Sequence, residues 1–417
     1  MDRRAQRISF RDRILGAIRG WAVGYIPNFS TFRGANAIDY GVVVDEDAAL
    51  RFTAVYAAIK LISENIAALP KSVKAVTDSG FEDADNHPVS RILKVAPNGY
   101  MDPFTLWFTG ISRLLGKGDF YAVIERASDG SPKAIHPVDK DWVTVLFDNG
   151  VKGYKVQTGL PSFQFLNGTY LEQDMIHVML FTRNGLEGID PIAYNAAAIG
   201  RGIATNKFSA DFYRRGGQIK GVLEMEGSLG DDAYENFMRH YGSAADNFEV
   251  PLLEYGIKYK DVGISPVAAQ LLQTETLSID DIARIFCVPP HLLAELSHAT
   301  FSNIEQQNIF FGEFSLRPIC KRIEVQLESK LFSEAERGRY SIKFDLKGLM
   351  RGDAVARANY YTSGINAGWM TPNEARRLEE MSALPGLDLA RMPMNFVQIG
   401  EDGKAVVVDN SPNSNQE

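Results

Sequence analysis

Hydrophobic periodicity changes abruptly at Pro70, and that change restricts the fold more than any other feature of the chain. From Asp45 to Leu69, apolar residues recur at Ala54, Val55, Ala58, Ile59, Ile62, Ile66 and Leu69. A spacing near 3.6 predicts one amphipathic helix, and Pro70 stops it because proline brings no N–H to the helical ladder. From Lys71 the period shortens to two. Ser72 to Val76, Phe120 to Ile124, Trp142 to Phe147, Val151 to Val156 and Met175 to Leu180 read as strands. Asp129-Gly130, Asn149-Gly150 and Asn167-Gly168 supply the turns between them. Pro103 to Leu115 reads as an intervening helix, so this half is an α+β body.

The second half is mainly helical. Asp190-Pro191 is an N-cap followed by proline at the first helical position. Ile192, Ala196, Ile199 and Ile203 carry the stripe onward, and Arg214-Arg215 with Gly216-Gly217 closes it. A helix of about 25 residues spans roughly 37 Å. Gly200 and Gly202 lie inside it, each costing about 1 kcal/mol against alanine; close approach of a neighbouring helix would offset that, and a kink is the other reading. Lys220 to Gly263 reads as short strands around a small helix, Asp231 to Tyr241. Ser265-Pro266 begins another helix with Ala268, Leu272, Ile279, Ile282 and Phe286 on its apolar face, and Ser278 with Asp281 suggests a restart. Val288-Pro289-Pro290 ends it. After a polar interruption at Ser297 to Phe301, Ser302 with Glu305 starts a helix running to about Phe332 and bent at Pro318. A strand over Ser341 to Leu346 and two helices, from Asp353 and from Thr371-Pro372-Asn373-Glu374, follow. The Asn- and Ser-rich tail from Glu401 reads as disordered.

Length and composition bound the function. The 417 residues suggest two or three domains. With 45% hydrophobic and 23% charged residues, full disorder and collagen-like structure are excluded. Apolar runs such as Met175 to Phe181 fall far short of the ~20 residues that span a bilayer, and Met1 to Gly20 lacks the apolar core of a signal peptide. Cys287 and Cys320 are too few for a disulfide framework or a four-cysteine zinc site; both read as buried and structural in a reducing compartment. Net charge is −8, yet the first twenty residues hold six arginines against two aspartates. An acidic body does not grip nucleic acid electrostatically. The basic arm, with Ile8, Phe10, Ile14, Leu15, Ile18 and Trp21, reads as a partly helical terminus or as an amphipathic arm that docks on a partner or nucleic acid.

Motifs for chemistry are missing. Gly116-Lys117-Gly118-Asp119 lacks the spacing of a phosphate loop and reads as a tight turn. His291 and His298 have no carboxylate or thiolate at ligand spacing. Asp280-Asp281 would suit a metal-dependent nuclease, but carboxylates at a helix start account for them. There is no nucleophile elbow, zincin helix or kinase set. Catalytic, metal and cofactor residues are therefore expected to be none.

In order along the chain, Ala54-Val55-Tyr56-Ala57-Ala58-Ile59 through Ile66-Ala67-Ala68-Leu69-Pro70, Pro97-Asn98-Gly99, and Phe212-Tyr213-Arg214-Arg215-Gly216-Gly217 form a familiar series. It continues with Ile282-Ala283-Arg284-Ile285-Phe286-Cys287-Val288-Pro289-Pro290-His291-Leu292-Leu293, Asn303 to Glu305 leading to Leu316-Arg317-Pro318, and Gly368-Trp369-Met370-Thr371-Pro372-Asn373-Glu374-Ala375-Arg376. The chain resembles, over roughly residues 40 to 385, the HK97-like portal proteins of tailed bacteriophages; Val-Pro-Pro after an amphipathic helix is the most diagnostic stretch. Where that family often carries glycine, Cys287 stands instead.

The resemblance implies an α+β portal-type protomer that assembles into a ring, usually of twelve copies, at one capsid vertex. It implies a basic arm at 1–39, an α/β wing at 40–188, stem helices at 189–217 and 264–290, and a small α/β clip at 218–263. A tunnel loop, long kinked helix and return to the wing would fill 291–347, a crown of short helices 348–395, and a tail 396–417. The tunnel loop, Leu296, Ser297, His298, Ala299, Thr300, Phe301 and Ser302, would line the channel. Glu224, Glu226, Glu254, Tyr255 and Lys258 would dock partners at the clip. Implied partners are further copies of the chain, the terminase large subunit, major capsid or scaffolding protein, a head–tail adaptor and double-stranded DNA, with no membrane. The implied location is the virion, reached from the host cytoplasm. Two other readings stay open on sequence alone: a scaffold or adaptor that forms no conduit, and a metal-dependent enzyme on nucleic acid.

Overall fold

The computed structural model describes residues 43–390 apart from 78–79, 149, 215–220, 226, 228–229, 247–256, 262–267, 294–306, 308, 347–353 and 380, together with 398–399 and 405–406. The chain divides after Leu346 into two compact units. In the first, the Asp45 carboxylate accepts the Ala48 N–H and starts α1 (Glu46–Leu50), followed by α2 (Thr53–Ala68). The single helix expected over 45–69 is thus two. Phe52 stands extended between them (φ −80°, ψ 115°) and turns its ring into the core. Next come β1 (Lys71–Thr77), β2 (Gly80–Asp83), α3 (Pro88–Lys94) and α4 (Pro103–Lys117). The Asp102 carboxylate caps α4, and Gly118 closes it at φ 82°, a left-handed position that glycine reaches without strain. Then follow β3 (Asp119–Arg126), β4 (Pro132–Val138), β5 (Val143–Asp148), β6 (Val151–Val156), β7 (Gly168–Leu171) and β8 (Met175–Met179).

Asp190 caps α5 (Pro191–Tyr194) by accepting the Ala193 N–H at 2.9 Å. Asn195 interrupts the helix before α6 (Ala196–Arg214), so the expected 25-residue helix is a short and a long segment. Between α6 and α8 (Ala268–Phe286) lie β9 (Gly221–Glu224), α7 (Asp231–Asp246) and β10 (Lys258–Asp261). The restart expected at Ser278 does not occur; α8 runs through it. A π-helical turn, Phe311–Leu316, leads into α9 (Arg317–Leu331), and β11 (Tyr340–Phe344) completes the unit. Pro318 lies directly after that turn, in the first turn of α9, where a missing N–H costs least. The expected capping box at Ser302 and Glu305 lies outside the described residues.

Among the described residues, three three-stranded sheets are built from these strands, β4-β3-β8, β5-β6-β7 and β11-β1-β2, with antiparallel neighbours throughout, and β9 pairs with β10 separately. Alternation along β3 explains the layering. Phe120, Ala122 and Ile124 face a core shared with α2, α4 and α9, among them Ile62, Trp107, Leu114 and Ile323. Tyr121 and Val123 face a second core with Val145, Tyr154 and Val156 of the β5-β6-β7 sheet. Because both faces are covered, β3 reads as a nearly continuous apolar run. Lys71 is buried in the first core, with its ammonium bonded to the Ala67 carbonyl and 5.5 Å from the Phe344 ring centre. Burial pushes it down to about 8. The nearby Cys320 thiol is raised by burial to about 12, as a structural cysteine should be.

The second unit holds α10 (Ala354–Asn366) and α11 (Pro372–Leu378). The capping box expected at Thr371-Pro372-Asn373-Glu374 is complete: Thr371 Oγ1 accepts the Glu374 N–H at 3.2 Å, and Glu374 accepts the Thr371 N–H at 2.7 Å. Buried Asn373 donates to the Leu384 carbonyl and accepts its N–H, both at 2.9 Å, which folds the following segment back on the helix. Gln398–Ile399 pairs with Ala405–Val406 inside the stretch read as a tail. Among the described residues, no helix is long and apolar enough to cross a membrane.

Candidate functional site

Helices α6 and α8 are joined in the chain through a small module of β9, α7 and β10, and both contribute to the main core through Ile199, Ile282 and Phe286. They pack against each other. Arg201 of α6 bonds Asp281 of α8, and Arg284 holds the other carboxylate oxygen at 2.7 Å. Asp281 is therefore a mid-helix clasp rather than the helix-start carboxylate expected. Gly202 of α6 also has a cause: a Cβ there would lie 2.7 Å from the Phe52 ring. The glycine lets the buried ring approach, so its cost is offset by one side chain from the break between α1 and α2 rather than by the helix backbone expected.

The root of α5 and α6 is fixed by a buried polar cluster that sequence reasoning missed. Asp119 Oδ1 accepts the Gly188 N–H at 2.7 Å and the His177 Nε2–H at 2.9 Å. Lys140 Nζ lies 2.6 Å from Asp119 Oδ2 and donates to the Lys117 and Gly188 carbonyls at 2.7 and 3.0 Å. The other ring nitrogen, His177 Nδ1, faces Tyr154 Oη at 3.1 Å and Lys152 Nζ at 3.2 Å. Tyr121 stacks on the imidazole at 4.2 Å. Burial lowers His177 to about 4, so the ring is neutral at pH 7. Burial works to raise Asp119, but the His177 N–H and the Lys140 ammonium outweigh it and hold the carboxyl below its usual range. A carboxylate, imidazole and phenol in line could relay a proton, but Asp119 is 1% and His177 2% exposed. No substrate reaches them, and the cluster is structural. The histidine inside the apolar run Met175 to Phe181 was the available signal for it.

At the far end of the pair, β9 and β10 form a two-stranded antiparallel sheet, with Lys258 opposite Glu224 and Asp261 opposite Gly221. Of the candidate docking residues, the structure brings together Glu224 and Lys258, both exposed. Glu226, Glu254 and Tyr255 lie outside the described residues, as does the whole candidate loop from Leu296 to Ser302. At the near end, α8 stops at Cys287, whose φ of 53° is the only positive value at a described non-glycine residue. The turn needs the conformation that glycine adopts most easily. Cys287 is exposed, which corrects the expectation that both cysteines are buried; Cys320 is buried. Ser315 in the π-helical turn donates to the Cys287 carbonyl, tying the stop of α8 to the next helix. Among the described residues, no group of three His, Cys, Asp or Glu side chains could hold a metal ion.

Residues 53–380 match the family described as phage portal protein. The probable portal protein of Streptomyces phage phiC31 is 30% identical over 384 residues, covering 88% of this chain and 83% of the relative. The portal protein of Enterobacteria phage HK97 is 27% identical over 369 residues, 86% of each chain. Among solved structures, the neck of a native gene transfer agent particle with C12 symmetry has a chain similar in fold. Its TM-score is 0.52 at 20% identity, covering 80% of this chain and 93% of that one.

Proposed function

This chain belongs to the phage portal protein family, and from that premise we propose that it closes into a ring of twelve copies at one capsid vertex. Portal proteins are structural channel proteins, not enzymes. In this reading, terminase drives double-stranded DNA inward through the ring and the same channel later releases it. The observation that carries the proposal is the family match over 53–380. The helix, small module and helix arrangement between the two halves of the α/β body supports it.

We assign the wing to 40–188 and 291–347, the stem to 189–217 and 264–290, the clip to 218–263 and the crown to 348–395. The basic arm is 1–39 and the tail 396–417. The loop Leu296 to Ser302 would fringe the channel; it has no Lys or Arg, and only His298 can carry charge. A conduit works best when it does not hold phosphates, since each Lys or Arg contact broken during sliding adds a barrier. The net charge of −8 per copy suits such a sleeve. The clip, with Glu224, Glu226, Glu254, Tyr255 and Lys258, would meet the terminase large subunit and later the head–tail adaptor. The wing would face major capsid or scaffolding protein. Protomers would assemble in the host cytoplasm and end in the virion. Electron microscopy of the purified protein tests the reading: closed rings with a central channel are expected, and monomers alone at high concentration, with or without scaffolding protein, would overturn it.

A further inference from the structure

An apolar groove of about 460 Å³ opens between α5, the end of α8 and the π-helical turn. Phe181, Tyr194, Phe314 and Cys287 line it, and all four are exposed. Deeper in lie Phe286 and Ile319, both buried. A cluster of exposed aromatic rings around a concave floor is a surface that gains by being covered.

The chain itself carries a segment of matching chemistry that lies outside the described residues. Phe10, Ile14, Ala17, Ile18 and Trp21 recur at i, i+4, i+7, i+8 and i+11, one stripe of an amphipathic helix. Asp12 and Arg19 fall on the opposite side. At 1.5 Å per residue the stripe is roughly 17 Å long. Gly16 and Gly20 make such a helix weak alone, so it would form only against a surface that rewards the apolar face. The arm enters the described fold beside the groove. Val43 leads into α1, which packs on α5, and Pro191 and Tyr194 of α5 line the groove. The 21 residues from 22 to 42 can span up to roughly 70 Å and keep the effective concentration of the arm high.

We propose that residues 8–21 dock as a helix in this groove of their own chain, with Phe10, Ile14, Ile18 and Trp21 against Phe181, Tyr194 and Phe314. Docking covers Cys287 and braces the point where α8 ends. The inference rests on the groove and the arm, not on the channel reading, so ring formation neither makes nor breaks it.

Cys287 is the probe, because the other cysteine is buried. In the full chain, native-state alkylation of Cys287 by N-ethylmaleimide should be at least tenfold slower than in a protein lacking residues 1–39. A synthetic peptide of residues 8–24 should restore the protection. The double variant Phe10→Asp, Ile18→Asp should expose Cys287 without any truncation, which keeps the test valid if the shortened protein folds poorly. Equal rates in all forms would overturn the proposal. So would protection that follows ring assembly and ignores the arm, which would give the groove to a neighbouring copy. An Ala17→Cys variant treated with oxidised glutathione as the electron acceptor should form a disulfide to Cys287 within one polypeptide at high dilution; cross-links found only between copies would overturn docking in cis.

Discussion

The neutral imidazole of His177 makes stability depend on pH in a defined window. Its proton affinity falls from the ordinary 6.5 to about 4 on folding. Below pH 6.5 the unfolded chain therefore binds a proton that the folded chain refuses, and stability drops until about pH 4. The loss is on the order of 3 kcal/mol. Asp119, held below its usual range, adds a loss of the same sign at still lower pH. Urea unfolding at pH 7.5 and 5 should show the drop in the parent protein, and His177→Gln should flatten it; an unchanged slope would mean that folding does not lower the proton affinity of His177. At Cys287 the backbone is the issue. A left-handed conformation costs a side-chain-bearing residue about 1–2 kcal/mol. Cys287→Gly should raise stability by up to about 1 kcal/mol despite the greater freedom of glycine in the unfolded chain, and Cys287→Val should lower it. Denaturant midpoints decide both.

Elements were legible where local chemistry settles them. The α4 start at Asp102-Pro103, the Asp190 cap and the Thr371 capping box each satisfy backbone N–H groups within a few residues, so sequence spacing is enough. The breaks at Phe52 and Asn195 were not legible, because the fold decides them. Phe52 leaves the helical path to reach the core beside Gly202, a partner 150 positions away. Helix α3, capped by His87, and strand β4, framed by Pro132 and Pro137, were missed since their signals argue against regular structure. β4 tolerates both prolines as an edge strand. At the candidate site, short strands were expected within 220–263 and Glu224 and Lys258 lie opposite each other in them, whereas the Asp119 cluster needs residues from five separate segments. Two element-scale tests follow from the proposed clip and tunnel loop. Leu223→Pro removes an N–H from β9 opposite Tyr259 and should impair ring closure while leaving the thermal transition of the α/β body in place; normal rings would remove the clip assignment. His298→Arg should add one cation per copy to the channel fringe. DNA packaging should then slow at low salt and recover as salt rises, and packaging indifferent to salt would place the loop away from DNA.

At the scale of the whole molecule, the sheet β11-β1-β2 joins the two ends of the α/β body. Val73 pairs with Ile342 and Lys71 with Phe344, so the strand that follows α2 finds its neighbour only after α5 to α9 have been made. At about 5–20 residues per second, ribosomes need on the order of tens of seconds to deliver that neighbour. Until then one side of β1 is an open edge and the apolar faces of α2 and α4 lack α9. The proposed stem and clip therefore emerge, and can fold, on a body that is not yet closed. A premature ring contact would trap an incomplete protomer. Closure by β11 is therefore late: a chain truncated before residue 340 cannot pair β1 with β11 or complete the body, and in the proposed assembly it could offer no finished protomer to the ring.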